Sequence, residues 1–518
     1  MRFPALAAVS LVAFVGACSS SDTVGPTPIS KYDPVALPAL TDVQTTLDRT
    51  IVPTKTRNAQ PDTARYLFDV DVRTDLLAQG YGDFTTGPGE KTTERAPPNQ
   101  TEPPPGPNKK LLTRFVHMPD LQLADDEAPT RLLRFDTPGA TSGAFRPQDG
   151  DECRVVNAAV RTINALNGKS PIDFVLLGGD NADSALDNEL GWVLDILGGA
   201  PSVECDSGAD DDPVKGPGND GKDPFVAEGL KMPFYWVNGN HDVLVQGNFV
   251  VNDEYKQQAL GTKAVGGTRD WRLPGGGLGI DDLPPDPNRK HLNPADVMAK
   301  VVAHKGGHGM SQANVQSGRA FYTFDIPNTP FRFVILDTTG ATTGASEGVM
   351  KKSEIDTYVK PALDKAKADG KLVLLASHHS VQSLGDGTGL GGKKVDDAMT
   401  QDEYKAFIGQ YDNVLFSIVG HSHEHRVRYQ EPTAGHGWWE VMTSALADYP
   451  HELRIIELYD DDNGWIRLRT VLADYSTEGD PVAAEAKKLG ILDYTSGWCA
   501  EGSGVPSDRN VELLIKKP

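Results

Sequence analysis

Asp120, Asp180, Asn240, His378, His421 and His423 are oxygen and imidazole donors, and each stands just after a short apolar run. Donors of these two kinds, gathered on one edge, can hold two divalent cations. A carboxylate has two oxygens, so one Asp of the set can bridge both ions. A bridged pair can clamp the attacking and the leaving oxygen of a single displacement. Directly after Asn240, His241 and Asp242 add a titratable ring and a carboxylate able to orient it. The chemistry to which these residue types point is metal-assisted hydrolysis.

For those donors to meet, the apolar runs must be strands. Residues 114–118 lead to Asp120, 173–177 to Asp180, 234–237 to Asn240, 371–376 to His378 and 414–419 to His421 and His423. Each run is short and mostly apolar, and 234–237 is apolar at all four positions, as strands covered on both faces are. Residues 154–167 place Val156, Val160, Ile163 and Leu166 on one helical face, and 186–197 form a second helix. Strand, helix, strand is the unit of a parallel sheet, whose C-terminal edge is where ligands are held. Gly before Asp180, Asn240 and His421 permits the tight turns that let side chains converge. A further strand covers 331–337, and a helix over 353–368 is kinked or split by Pro361. Residues 438–474 are strand-like, with Asp462-Asn463-Gly464 as a hairpin turn. Residues 66–72 alternate as a strand of an N-terminal extension packed on the main domain.

The order Asp120-Leu121-Gln122, Gly179-Asp180, Gly239-Asn240-His241-Asp242, Ser377-His378 and Gly420-His421-Ser422-His423 resembles the calcineurin-like metallophosphoesterase superfamily. The family pattern runs Asp-x-His, Gly-Asp, Gly-Asn-His-Asp/Glu, a lone His, then Gly-His-x-His. The resemblance covers about 111–474. It implies an α/β fold, a four-layer αββα sandwich of two mixed β-sheets flanked by helices. It also implies two divalent ions of the manganese, iron or zinc class. Asp120, Gln122, Asp180 and His423 would hold the first, and Asp180, Asn240, His378 and His421 the second. His241 would give a hydrogen bond or proton to the phosphate or leaving group, and Asp242 would orient it. The implied nucleophile is a metal-bound hydroxide. The departure is Gln122, where the family has His. An amide oxygen coordinates more weakly than imidazole, yet its substitution removes no negative charge. The implied activity is hydrolysis of phosphate monoesters or diesters. The competing reading is a degenerate, non-catalytic binding protein on the same scaffold, which would have no chemical reason to retain both the other ligands and the His241/Asp242 pair.

At 518 residues, with 38% hydrophobic and 24% charged side chains, the chain suits one large domain with insertions. A net charge of −22 disfavours nucleic acid as a partner, and no Lys/Arg-rich strip lies near the motifs to argue for a nuclease. Residues 1–17 are read as a lipoprotein signal peptide. Val15-Gly16-Ala17-Cys18 resembles a lipobox, which implies acylation of Cys18 and a place in the cell envelope on a membrane surface. Residues 18–110 form tether, extension and Pro-rich connector, 111–475 the phosphoesterase domain, and 476–518 a tail without a clear pattern. Within the domain, 243–318 is a long insertion expected to wall or cover the site, with His308 a lesser candidate for substrate contact. The acidic stretch 204–223 is read as a solvated loop. Cys153, Cys205 and Cys499 imply one disulfide and one leftover thiol.

Overall fold

In the strand Phe174–Leu177, Phe174 and Leu176 enter one core while Val175 and Leu177 enter another. The same division separates Phe115 from Val116, Phe333 from Val334, and Leu374 from Leu375. Successive side chains on a strand point to opposite faces, so runs apolar at every position need cover on both. The computed structural model describes residues 31–518 apart from 140, 209–211, 271, 273–275 and 501. The expected signal segment, Cys18 and the expected tether up to residue 30 lie outside the described residues.

Thirteen strands build two sheets: β1 Thr93–Arg95, β2 Lys110–Met118, β3 Phe174–Leu177, β4 Phe234–Tyr235, β5 Tyr322–Asp325, β6 Phe331–Ile335, β7 Leu372–Ala376, β8 Val414–Val419, β9 Arg426–Gln430, β10 Trp438–Met442, β11 Glu452–Asp460, β12 Trp465–Asp474 and β13 Val511–Lys516. One sheet has the order β1-β13-β12-β11-β2-β3-β4, with β2, β3 and β4 parallel. The other has the order β5-β6-β7-β8-β10-β9, with β6, β7, β8 and β10 parallel. Phe115, Phe174, Phe331, Phe333, Leu374 and Trp439 fill the space between them. Helices Glu152–Lys169, Asp187–Gly198, Pro294–Ala303 and Pro481–Ser496 cover the outer face of the first sheet. Lys360–Ala368 and Gln401–Ile408 cover the second. The result is the expected α/β fold, four layers of two mixed sheets between helices.

Several local expectations change. Residues 66–72 are not a strand: a helix runs over Val70–Ala78, its N-terminus capped by the Asp69 side chain accepting from Asp71 N. That cap outweighs a two-residue alternation. The stretch 476–518 is no loose tail, since it supplies the helix Pro481–Ser496 and the interior strand β13. Only part of 204–223 is solvated. Cys205 is disulfide-bonded to Cys153, and Lys222 is buried against Asp126 and Glu127. Without an N–H, Pro361 cannot close a helical bond, and the chain widens into a π-turn over Ile355–Val359 just before it.

Candidate metal centre

Asp120 follows β2, Asp180 follows β3, Asn240 follows β4, His378 follows β7 and His421 with His423 follows β8. Three adjacent parallel strands of one sheet and two of the other thus deliver their C-terminal ends to one place. Gly239 and Gly420 make the approach possible. A Cβ on Gly239 would sit 2.0 Å from Asp180 Oδ1, and one on Gly420 would sit 2.4 Å from Asp120 Oδ2. Asp120, Gln122, Asp180, His421 and His423 all take positive φ, between 39° and 72°. Such backbone is held only where its surroundings over-determine it, and it gathers at functional sites.

The donor atoms converge. Asp120, Asp180 and His378 present ligand atoms within 4.8 Å of one another. His378 Nε2 stands 3.0 Å from Asp180 Oδ2 and 3.8 Å from Asp120 Oδ1. His423 Nε2 is 3.3 Å from Asp120 Oδ1. The rings of His378 and His421 are 5.2 Å apart, and His421 N donates to Asp120. Gln122 Nε2 reaches Asp180 Oδ2 at 3.5 Å.

Neighbouring bonds decide which atom each residue offers. His378 Nδ1–H donates to Gly178 O at 2.9 Å, so Nε2 carries the free lone pair of the neutral ring. His423 Nδ1–H donates to Asp448 Oδ2 at 2.5 Å, again leaving Nε2. Asn240 Nδ2 donates to Gly247 O, which aims its amide oxygen elsewhere. Gln122 Oε1, Asn240 Oδ1 and His378 Nε2 are buried and accept no hydrogen bond. A buried acceptor without a donor is costly, and a cation is the partner that suits amide oxygen, carboxylate and imidazole together. The seven residues therefore fit a binuclear centre. His379 does not join them: Nε2–H donates to Ser346 O, and Nδ1 accepts from Thr338.

With the ions left aside, protons balance the charge. Burial alone would raise Asp180 and lower His378, but their mutual attraction reverses both. Asp180 is held well below the carboxylate range, and His378 rises to about 9. His423, beside Asp120 and Asp448, rises to about 10 against the effect of burial.

Asp242 does not orient His241. Its carboxylate accepts from the backbone N–H groups of Asn181, Ala182 and Gly239 and from Asn181 Nδ2, all at 2.8–3.1 Å. The turn after Asn240 is a short helix, Asn240–Val243, and Asp242 caps its N-terminus. The ring of His241 is held by Asp183: Nδ1–H donates to Asp183 O at 2.6 Å, with Asp183 Oδ1 at 3.5 Å. The residue pattern singles out neither Asp183, which follows Asp180 in a non-helical turn, nor Asp448 and Arg146, which buttress His423. His308 Nδ1 accepts from Met310 N, and its carbonyl accepts from Trp236 N.

No family model and no curated protein matches the chain. Among solved structures it is similar to a dimetal phosphatase from Danio rerio, at 14% identity over 71% of this chain and 100% of that one, with a TM-score of 0.37. It is also similar to the sulfate thiohydrolase SoxB of Thermus thermophilus, at 15% identity over 75% of this chain and 60% of that one, TM-score 0.32. A third is a purple acid phosphatase from yellow lupin seeds, at 13% identity, 76% and 56% coverage, and TM-score 0.32. The chain spans less than two thirds of the latter two. The order of its motifs resembles that of the calcineurin-like metallophosphoesterases.

Proposed function

We propose that the protein is a metal-dependent phosphoesterase. The observation that carries this reading is the cluster of Asp120, Asp180 and His378, whose ligand atoms lie within 4.8 Å of one another, together with Gln122 Oε1 and Asn240 Oδ1, which are buried and accept no hydrogen bond. Asp120, Gln122, Asp180 and His423 would hold one divalent ion, and Asp180, Asn240, His378 and His421 the other. Bound there, such ions supply Lewis-acid neutralisation of phosphate charge and ionise water at neutral pH.

The chain's own residues do the rest. With Nδ1 committed to Asp183, His241 has Nε2 for the substrate. Burial favours its neutral form, but Asp180 and Asp183 outweigh burial and raise its pKa. A proton held at Nε2 could be donated to a phosphate or leaving-group oxygen. The imidazole is 17% exposed, so an entering ester can meet it. Asp448 keeps His423 in the tautomer that leaves Nε2 basic, and Arg146 Nε fixes Asp448 in turn at 2.7 Å.

The test is hydrolysis of p-nitrophenyl phosphate beside its bis ester, with Mn²⁺ added, together with metal analysis of the purified chain. Turnover of either ester with about two equivalents of metal supports the reading. Far less than one equivalent, with no turnover, would establish the non-catalytic scaffold instead. The same proposal places the protein in the cell envelope, tethered by acylated Cys18. No helix among the described residues is long and apolar enough to cross a membrane. Incorporation of labelled palmitate that Cys18→Ser abolishes would support the anchor, and unchanged labelling would reject it.

A further inference from the structure

Asp448, Asp493 and Cys499 form a second group of metal-ligating side chains, their ligand atoms within 4.8 Å of one another. All three are buried, at 4%, 2% and 7% exposure. Asp493 lies in the last turn of the helix Pro481–Ser496, which Gly497 ends with φ of 93°. The chain then reverses, and Cys499 N donates to Asp493 O. That reversal brings a thiol from beyond the helix back to a carboxylate within it.

Both carboxylate oxygens of Asp493 are buried and have no hydrogen-bond partner. Neither protonation state resolves this, because a carboxylic acid also needs an acceptor for its proton. Nearby, Asp136, Asp149 and Glu152 are buried and also carry unpartnered oxygens, and Arg146 is the cation that acts on Asp493. Burial, Asp448 and Asp136 together hold the Asp493 acid far above the carboxylate range. Burial, Asp448 and Asp493 push the Cys499 thiol up as well. A divalent ion can take the place of both protons.

We propose that Asp448, Asp493 and Cys499 bind a third metal ion, of the zinc class, on the far side of His423 from Asp120. The imidazole separates the two sites, with Nε2 toward Asp120 and Nδ1 bonded to Asp448. Asp448 already serves His423 and Arg146 Nε, but each carboxylate oxygen has two lone pairs. One thiolate with two carboxylates selects zinc over calcium or magnesium, which take oxygen alone. Ligand atoms on a tetrahedral zinc stand about 3.5 Å apart, given bonds of about 2.0–2.3 Å, so the three side chains need close by only about 1 Å. On binding, the Cys499 thiol and the Asp493 carboxyl each release one proton to solvent. The ion would clamp the C-terminal segment to the carboxylate that orients His423.

The test uses the full chain carrying Cys18→Ser, in which the Cys153–Cys205 disulfide leaves Cys499 as the one remaining thiol. Loaded with Co²⁺, it should show thiolate-to-cobalt charge transfer in the near ultraviolet. Loaded with Zn²⁺, its X-ray absorption should show one sulfur at about 2.3 Å. Cys499→Ser and Asp493→Asn should each lower metal content by one equivalent. Absence of a metal–sulfur signal would overturn the proposal, as would full metal content in both variants. The sulfur readout needs no variant to fold, and no sulfur ligand belongs to the strand-end centre, so the two proposals fail separately.

Discussion

At the scale of single residues, His241 and Asp242 are chain neighbours with separate tasks. His241 keeps one nitrogen for the cleft, while Asp242 spends its carboxylate on four N–H donors of the 180–182 and 239 turns. His241→Ala is therefore expected to cut turnover about 10²–10⁴-fold while leaving metal content and melting temperature near those of the parent. Asp242→Ala strands buried donors at about 1–3 kcal/mol each. Its first effect should be a lowered melting temperature, with turnover falling only as the fold loosens. Gln122 offers an amide oxygen where imidazole would bind more tightly. Gln122→His should retain metal against a chelator longer than the parent. Equal retention would place position 122 outside the ligand set.

At the scale of elements, the site depends on how closely five strand ends can be packed. Gly239 sits against Asp180, whose Oδ1 lies 2.0 Å from where a Cβ would stand. Gly239→Ala must push the Asp180 turn away from the Asn240 turn, although no donor atom is removed. Metal content and turnover should fall together, with the outer helices unaffected by circular dichroism. The strands themselves were legible, because runs such as 174–177 are apolar at every position and lead to a donor. Their partners were not. β13 stands between β1 and β12 although more than 400 residues separate it from β1. Pairing of that kind is chosen by which edges remain open after the rest has packed, and that choice leaves no local pattern.

For the whole molecule, buried titratable groups make stability a sum of opposing proton balances. Burial lowers His291 to about 4, so the unfolded chain binds a proton that the folded chain refuses between about 6.5 and 4. That group stabilises the fold above pH 6.5, and its contribution is lost as pH falls through this window. Glu189 runs the other way. Burial and Asp183 raise it to about 8, and its contribution is present below about 4.5 and lost as pH rises through 8. The clean readout is a difference. His291→Gln should flatten the pH dependence of the urea midpoint between about 6.5 and 4 relative to the parent. An unchanged slope would show that His291 takes up its proton in the folded state.

Residue types and spacing pointed to the strand-end donors and to the parallel strands that carry them, because each is written in a few consecutive residues, while the four-layer sandwich and the place of Gln122 followed from the family resemblance. Tertiary packing alone decided that Asp183 rather than Asp242 holds His241, that Asp448 stands behind His423, and that Cys499 turns back to Asp493. A side chain's partner is fixed by distances across the fold, and Asp448 lies 25 residues from the ring it supports. Sequence order carries the chemistry of each group; only the closed fold determines which groups touch.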